Sequence, residues 1–318
     1  MDLVLLGIPL GIVLLYFGSD WLVKGGKGLA LKLGIPPFVI GLTVLAFGSS
    51  APEAVTSIVS AGNPEIIVGN VIGSNIANIG LAIGIAGLIS PMAAKFSTIR
   101  LELAVMAVTA IAILALAIAG HAGLVIGAVF VVSLFLFVSV IYYTKRNDKE
   151  GQEAYSSEVE DEETKGYPVL IIMVISGLVL LYFGARFFVD GAVELASILG
   201  MSELLIGLIV VAVGTSLPEI CISLIAARRG ENDLAVSNIV GSNIFNVLFV
   251  LGIGSVIVDI PFPESVIYFH APVMLILTAI MIASVRFKNS ISRPVSAVFA
   301  AIYVAYVAIM ILNPSLTL

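Results

Sequence analysis

Two short segments place a carboxylate inside a long apolar run, and they are the stretches best equipped for chemistry. The first reads AFGSSAPEAV at residues 46–55, and the second reads AVGTSLPEIC at residues 212–221. Hydroxyls flank each glutamate at intervals of four residues, one inside the segment and one just after it: Ser49, Glu53 and Ser57, then Thr215, Glu219 and Ser223. Residues four apart share one face of a helix, so each segment is predicted to align three oxygen-bearing side chains.

A proline directly before each glutamate is predicted to break these helices. Proline lacks an N–H, and its ring clashes with the carbonyl four residues earlier. Pro52 would therefore free the carbonyl of Gly48, and Pro218 would free that of Gly214. Irregular backbone is tolerated at membrane depth where it is buried in protein or lines a cavity. Freed carbonyls, hydroxyls and a carboxylate together favour an all-oxygen site for a hard cation.

The apolar segment that follows each motif carries a second polar face. Its members are Asn70, Ser74 and Asn78, and then Asn238, Ser242 and Asn246. Such side chains can serve as simple hydrogen-bond partners between membrane helices. The two glutamates are harder to explain in that way, because a charge at the bilayer centre costs roughly 3 kcal/mol. A bound cation would offset this cost, and protonation is the other possibility, because burial favours the neutral acid.

The elements that must position these residues are predicted to be membrane helices. Of the 318 residues, 60% are hydrophobic and 11% are charged, whereas soluble domains carry about 25% charged residues. Apolar runs of about 20 residues recur along the chain, which is typical of a polytopic membrane protein. Ten spans are predicted, at residues 3–20, 36–61, 66–90, 98–118, 122–143, 168–185, 202–227, 232–257, 268–285 and 294–313.

The two halves of the chain repeat each other. LLYFGSDWLVKGG at 14–26 matches LLYFGARFFVDGA at 180–192, and VGNVIGSNIANIGLAIGI at 68–85 matches VSNIVGSNIFNVLFVLGI at 236–253. Each half holds five predicted spans, and an odd number means that the second copy enters the membrane from the opposite side. The predicted fold is therefore an all-α integral membrane protein with two inverted five-helix repeats, broken helices at the midplane and a site between the repeats.

Three regions follow from this repeat. Residues 1–144 form the first five-helix repeat, with its motif at 40–85, and residues 168–318 form the second, with its motif at 206–253. Residues 145–167 form an acidic linker between them. When alternate loops are counted, fourteen of the fifteen lysines and arginines fall on one side and Arg186 falls on the other. This bias predicts a multi-pass plasma membrane protein with a cytoplasmic linker and both termini outside.

The paired motifs resemble a known family. GSSAPE and GTSLPE, each followed by a helix carrying GSNIxN, are similar to the two alpha repeats of the calcium/cation antiporter superfamily, and most similar to its prokaryotic sodium/calcium exchangers. The resemblance implies calcium ligands at Glu53, Glu219, Ser49 and Thr215. It implies sodium ligands at Ala46, Ser50, Glu53, Ser74, Ala212, Thr215, Ser216, Glu219 and Ser242. It also implies that Asn78, Asn246, Gly48 and Gly214 line the pocket, and that the first and sixth spans slide as gates.

One departure from the family bears on the choice of ion. Many members carry an aspartate at the position of Asn246 in one repeat, whereas both repeats have asparagine here. Potassium-dependent exchangers rely on an acidic residue at that position, so potassium cotransport is disfavoured. The pocket then carries two negative charges when both glutamates are ionised.

Together these features predict a secondary active antiporter, not an enzyme, that exchanges sodium for calcium by alternating access and is electrogenic. The sequence predicts no cofactor, no nucleic-acid partner and no obligatory protein partner. The bilayer and the two transported ions are its expected partners. Several alternatives remain open: a proton/calcium antiporter, an antiporter for magnesium, manganese or potassium, a cation channel with uncoupled flux, and a structural or receptor-type membrane protein.

Overall fold

A computed structural model describes residues 3–35, 37–50, 53–54, 64–145, 165–199 and 212–316. Pro52, Ser57 and residues 146–164 of the predicted linker lie outside these ranges. Within them, eight helices are long and apolar enough to cross a membrane: Val4–Leu33, Pro64–Ile89, Phe96–Ala119, Leu124–Thr144, Tyr167–Ile198, Asn232–Ile257, Val266–Lys288 and Arg293–Leu312. The predicted spans at 36–61 and 202–227 fall partly outside the described residues, so the count of ten stays a prediction.

Within its described residues, the first half of the chain is helical apart from short turns and two strands of two residues each. Its elements are α1 (Gly7–Leu33), α2 (Pro37–Ile40), α3 (Ala46–Ser49), α4 (Pro64–Ala77), α5 (Gly84–Ile89), β1 (Met92–Ala93), α6 (Phe96–Ala119), β2 (His121–Ala122) and α7 (Leu124–Lys145). A 3-10 turn at Leu3–Leu6 precedes α1. The π-helical segment Gly41–Leu45 joins α2 to α3, and Asn78–Ile83 joins α4 to α5.

The second half has a matching order of elements. They are α8 (Tyr167–Ile198), α9 (Ala212–Thr215), α10 (Leu217–Arg228), α11 (Asn232–Phe245), α12 (Gly252–Ile257), β3 (Ile260–Pro261), α13 (Ala271–Lys288), β4 (Ser290–Ile291) and α14 (Arg293–Leu312). The π-helical segment Asn246–Leu251 joins α11 to α12, and Val266–His270 leads into α13. The 3-10 turn Pro314–Leu316 follows α14.

Helices α1 and α8 are longer than the sequence predicted. The first span was expected to end near residue 20, before GGKG, and the sixth near residue 185, and both predictions are wrong. Two glycines of GGKG lie where α1 packs closely on α8. A Cβ on Gly25 would lie 3.1 Å from the carbonyl oxygen of Leu170, and one on Gly28 would lie 2.6 Å from the Leu170 side chain, so the helix continues through this contact. Helix α1 ends at Gly34, whose positive φ of 65° lets its N–H bond to the last carbonyls.

The helices with polar faces lie at the centre of the molecule. Most residues of α4, α5, α11 and α12 are buried, although their segments contain asparagine and serine. Helix α7 lies at the periphery, where Val125 is 75% exposed and Phe135 is 64% exposed. Large apolar side chains on an outer surface of this kind are suited to contact with lipid.

Two short antiparallel strand pairs tie the halves together at the ends of the bundle. Strand β1 pairs with β4, with Met92 opposite Ile291, and β2 pairs with β3, with His121 opposite Pro261. In each pair one strand comes from the first half and the other from the second. The helical architecture therefore fits an integral membrane protein whose two halves are packed closely together.

Candidate functional site

Both glutamates of the paired motifs are buried. Glu53 is 1% exposed and Glu219 is 0% exposed, and the two carboxylates lie close enough to interact electrostatically. Among the residues described, every ion pair lies elsewhere, so no lysine or arginine is seen to neutralise either group. Two buried charges of the same sign repel each other and are costly without a counter-ion. The arrangement therefore requires a bound cation or a proton.

The helix is interrupted at a serine before each glutamate, and the two interruptions have nearly the same backbone angles. Ser50 ends α3 with φ −86° and ψ 7°, and Ser216 precedes α10 with φ −87° and ψ 3°. Each serine carbonyl then accepts the first hydrogen bond of the next turn, from Ala54 at 3.1 Å and from Ile220 at 3.0 Å. Pro218 lies in the first turn of α10, where a missing N–H costs nothing. Pro52 lies outside the described residues.

The serines before the breaks join the two halves. The Ser50 hydroxyl donates to Oε1 of Glu219 at 3.0 Å. The Ser49 hydroxyl is 3.3 Å from the carbonyl oxygen of Ala46 and 3.5 Å from both Asn238 Oδ1 and Ser242 Oγ. Residues predicted as separate ligands are thus brought together across the interface between the halves.

An asparagine holds the backbone next to each glutamate. Asn70 donates its amide to the carbonyl oxygen of Glu53 at 3.1 Å, and Asn238 donates to that of Glu219 at 3.5 Å. Asn238 also donates to the Ser223 hydroxyl at 3.2 Å. These bonds connect the second polar face of each half to its glutamate segment. They explain why amides occur at these positions in otherwise apolar helices.

The remaining predicted site residues surround this centre. Ala46 and Ala212 begin the short helices α3 and α9, and Thr215 lies partly buried at the end of α9. Ser74 and Ser242 are buried on α4 and α11. Gly48 and Gly214 both face α8: a Cβ on Gly48 would lie 2.4 Å from the Leu178 side chain, and one on Gly214 would lie 2.2 Å from Val189. The two glycines therefore set how closely α8 approaches the site.

A cavity of about 380 Å³ lies between α3, α8 and α10. Ser49, Leu178 and Pro218 are among its lining residues. Most of the remaining wall is apolar and comes from α8, so this helix closes the site on one side. A displacement of α8 would change access to Ser49.

Asparagines that the sequence analysis did not single out lie at the interface of α4 and α11. Asn75 and Asn243 each donate an amide hydrogen to the other's backbone carbonyl, both at 3.3 Å. Asn78 donates to Asn243 Oδ1 at 3.0 Å, and Asn246 donates to Asn75 Oδ1 at 3.1 Å. Asn75 and Asn243 each lie inside a copy of the GSNIxN motif, and this repeated position is the sequence signal that could have identified them. The predicted pocket asparagines begin the two central π-helical segments, a geometry that often marks functional sites.

Five buried oxygens at this centre have no hydrogen-bond partner within the described structure. They are Glu53 Oε2, Glu219 Oε2, Asn78 Oδ1, Asn246 Oδ1 and Ser216 Oγ. An unsatisfied buried polar group costs about 1–3 kcal/mol, and a charged one costs more. Carboxylate, amide and hydroxyl oxygens are the ligands that hard cations prefer. The cluster therefore offers the kinds of oxygen that a hard cation such as calcium or sodium prefers.

Comparison with known proteins identifies one family along almost the whole chain. The family model for sodium/calcium exchanger proteins matches residues 3–143 and 169–312. The sodium/calcium exchanger MaX1 of Methanosarcina acetivorans is 30% identical over 95% of this chain and 96% of its own length. An uncharacterised membrane protein of Methanocaldococcus jannaschii is 34% identical over 94% of this chain and 95% of its own length.

Solved structures show the same likeness. One structure of the sodium–calcium exchanger NCX_Mj superposes with a TM-score of 0.84 at 30% identity, and it covers 97% of this chain and 99% of that chain. The match spans both halves and both glutamate motifs. The chain therefore belongs to the sodium/calcium exchanger protein family.

Proposed function

We propose that the chain binds its transported ions between Glu53 and Glu219 and carries them across the membrane by alternating access. As a member of its family it is an antiporter that exchanges sodium for calcium. The observation that carries the proposed site is the cluster of five buried oxygens without hydrogen-bond partners, two of them from the glutamates. The transported ions are substrates, and the cycle needs no covalent step.

The charge of the site supports exchange. Two ionised carboxylates are neutralised by one calcium ion, and two or three sodium ions that share the same oxygens can do the same. Because the ligands are shared, the two kinds of ion exclude each other. A pocket with near-zero net charge crosses a low-dielectric region more easily than an empty, doubly negative one. If more than two sodium ions move per calcium, the exchange is electrogenic and responds to membrane potential.

We propose the same ion ligands that the sequence predicts. Glu53, Glu219, Ser49 and Thr215 bind calcium. Sodium binds to Ala46, Ser50, Glu53, Ser74, Ala212, Thr215, Ser216, Glu219 and Ser242. Asn78, Asn246, Gly48 and Gly214 line the pocket. Burial of the serines and the unpartnered oxygens of Ser216, Asn78 and Asn246 support this assignment.

We also propose ten transmembrane helices in two inverted repeats, with residues 1–144 and 168–318 as the repeats and 145–167 as a cytoplasmic linker. Three pairs of features support a two-fold relation. The serine breaks match in φ and ψ, and π-helical segments begin at both Asn78 and Asn246. Strand β1 pairs with β4 as β3 pairs with β2. In the proposed topology both termini face outward from the plasma membrane.

Helices α1 and α8 are the proposed gates. They pack on each other through glycines, and α8 also contacts Gly48 and Gly214 beside the site. A sliding motion of the pair would uncover the ions on one side and cover them on the other. Glycines on both helices, such as Gly18 and Gly177, let the two backbones approach closely along this contact.

The test is calcium-45 uptake into proteoliposomes loaded with sodium, potassium or choline, at equal pH on both sides and with the potential clamped. We expect uptake from sodium-loaded vesicles alone. Uptake driven by an imposed pH gradient would instead identify a proton/calcium antiporter, and uptake with choline inside would identify a channel. Glu53→Gln and Glu219→Gln are expected to lose this uptake. Glu65→Gln is their matched control, because Glu65 is exposed at the start of α4.

A further inference from the structure

We infer that Asn75 and Asn243 are positioning residues for ion binding. Each accepts a hydrogen bond from the side-chain amide of the other half's pocket asparagine, and this bond turns that asparagine's oxygen toward the ion. Asn243 orients Asn78, and Asn75 orients Asn246. This inference rests on the proposed ion site. It adds two residues to that site that do not themselves contact the ions.

Two backbone carbonyls set the orientation of the first pair. Asn75 Nδ2 lies 3.3 Å from the carbonyl oxygen of Asn243, and Asn243 Nδ2 lies 3.3 Å from that of Asn75. A carbonyl oxygen can only accept a hydrogen bond, so each side chain must present its NH2 group there. The Oδ1 atom of each amide therefore points the other way and is left to accept.

The orientation of the pocket asparagines follows from the first pair. Since Asn243 Oδ1 is an acceptor, Asn78 must turn its NH2 group toward it, and the distance is 3.0 Å. In the same way Asn246 turns its NH2 group toward Asn75 Oδ1, at 3.1 Å. The Oδ1 atom of each pocket asparagine is then left buried and without a hydrogen-bond partner among the described residues. A rotation of either amide by half a turn would point hydrogens at a cation.

Burial makes this arrangement effective. The exposed fractions of the four residues are between 0% and 3%. Water therefore cannot replace a lost acceptor cheaply, and each amide keeps one orientation. The four side chains form one closed set of hydrogen bonds: Asn75 and Asn243 lie near the ends of α4 and α11, and Asn78 and Asn246 begin the π-helical segments that follow.

The experiment uses Asn243→Leu and Asn75→Leu, which remove the acceptor at nearly constant volume. Calcium binding and the KM for calcium uptake are measured on monodisperse protein. Each variant is expected to weaken calcium binding about tenfold, the usual consequence of losing one well-placed hydrogen-bonding oxygen. Asn238→Leu removes a neighbouring buried amide that bonds to the Glu219 carbonyl and not to a pocket asparagine, so it has its own effect on binding and serves as the control for additivity in the double variants.

Double variants distinguish positioning from general support of the fold. In an Asn78→Ala background, Asn243→Leu is expected to add no further loss of calcium affinity, whereas in an Asn246→Ala background it adds its full effect. Asn75→Leu is expected to show the opposite dependence, so either variant carries the test if the other fails to fold. The Asn238→Leu control is expected to add its effect in both backgrounds.

Equal added losses in both backgrounds would overturn the positioning role. That result is distinct from a failure of the proposed function. If wild-type protein showed no sodium-coupled calcium uptake, the proposed exchange would fall. If wild-type protein transported normally but the double variants were additive, only the inference about Asn75 and Asn243 would fall.

Discussion

The two halves of the chain resemble each other at the centre of the molecule but differ at the ends of the two long helices, α1 and α8. At the centre the two halves use the same chemistry. The helices are interrupted at Ser50 and Ser216 with nearly the same φ and ψ. In each half an asparagine donates a hydrogen bond to the backbone carbonyl of the glutamate. The two halves therefore contribute similar oxygens to the centre of the molecule.

The ends of α1 and α8 have diverged in charge. On α1, Asp20 pairs with Arg229 and, at 2.8 Å, with Lys24, while Lys27 pairs with Glu231 at 2.5 Å. The bonds to Arg229 and Glu231 join α1 to the loop between α10 and α11, and Asp20 is only 7% exposed. The first half is thereby fastened to the second at the end predicted to be cytoplasmic.

The matching positions on α8, 166 residues later, are Arg186, Asp190 and Val193. Arg186 lies 3.9 Å from Asp190 on the same helix, and both side chains are more than half exposed. An exposed pair of this kind contributes about 0–1 kcal/mol, whereas breaking a buried pair costs about 3–5 kcal/mol. The two halves are therefore alike at the centre and differ in ion pairing at the ends of α1 and α8. In the proposed mechanism the ion site serves both access states, whereas the two ends need not close with equal strength.

The most severe test of the shared centre is to remove one carboxylate. Glu53→Gln and Glu219→Gln are each expected to abolish calcium transport, because each removes half of the charge that holds the ion. A unit charge pair about 4 Å apart is worth about 4 kcal/mol at an effective dielectric constant of 20, so affinity should fall by at least ~100-fold. Equilibrium calcium binding measures this. Normal uptake by either variant, with Glu65→Gln as control, would contradict the role of the pair.

A second test adds a charge instead of removing one. Asn246→Asp gives the pocket a third acidic group, and we expect altered ion coupling or a new dependence on pH. If the two halves are equivalent at the centre, Asn78→Asp should behave in the same way. Sodium dependence and the pH profile of uptake are the measurements. Unchanged profiles in both variants would place the asparagines away from the ions.

A third test concerns the one clear asymmetry within the centre. The Ser50 hydroxyl donates to Glu219, whereas Ser216 Oγ has no partner in the part of the chain that the structure describes. Ser50→Ala should weaken both sodium and calcium binding by a few-fold, because Glu219 loses a donor worth about 1 kcal/mol. Ser216→Ala should weaken sodium binding selectively. Equal effects on both ions in both variants would remove the distinction.

The smallest effect on transport is expected at the helix ends. Lys27→Met leaves Glu231 partly buried without this partner, and we expect a lower midpoint of thermal denaturation with little change in the calcium KM. Arg186→Met serves as the exposed control and should leave the midpoint unchanged. Thermal denaturation followed by intrinsic fluorescence measures both. Equal midpoints for the two variants would show that the buried pairs do not fasten α1.

The centre was largely predictable from the sequence because its signals are local. A charge and a proline inside an apolar run mark a costly segment, and its recurrence 166 residues later gives the two-fold relation. The structure buries Glu53 and Glu219 together and brings Ser50 to Glu219, as this pattern indicates. Their roles as ion ligands stay a prediction, because hydrogen bonding shows capacity and not occupancy.

The features that could not be predicted from the sequence depend on contacts between residues that are far apart in the chain. Lys27 and Glu231 are 204 residues apart, and no local pattern indicates that they meet. The polar break GGKG predicted the end of a span, yet the glycines pack against α8 and α1 continues to Leu33. The orientation of the Asn78 amide follows from a partner 165 residues away, so its sequence neighbourhood cannot reveal it.

The most direct test of the central claim is equilibrium binding of calcium-45 to the purified protein across a range of sodium concentrations. If calcium and sodium share Glu53 and Glu219, sodium should displace calcium completely, with a steep dependence that indicates more than one sodium ion. Choline at equal ionic strength should not displace it. Calcium binding that persists unchanged at saturating sodium would contradict a shared site.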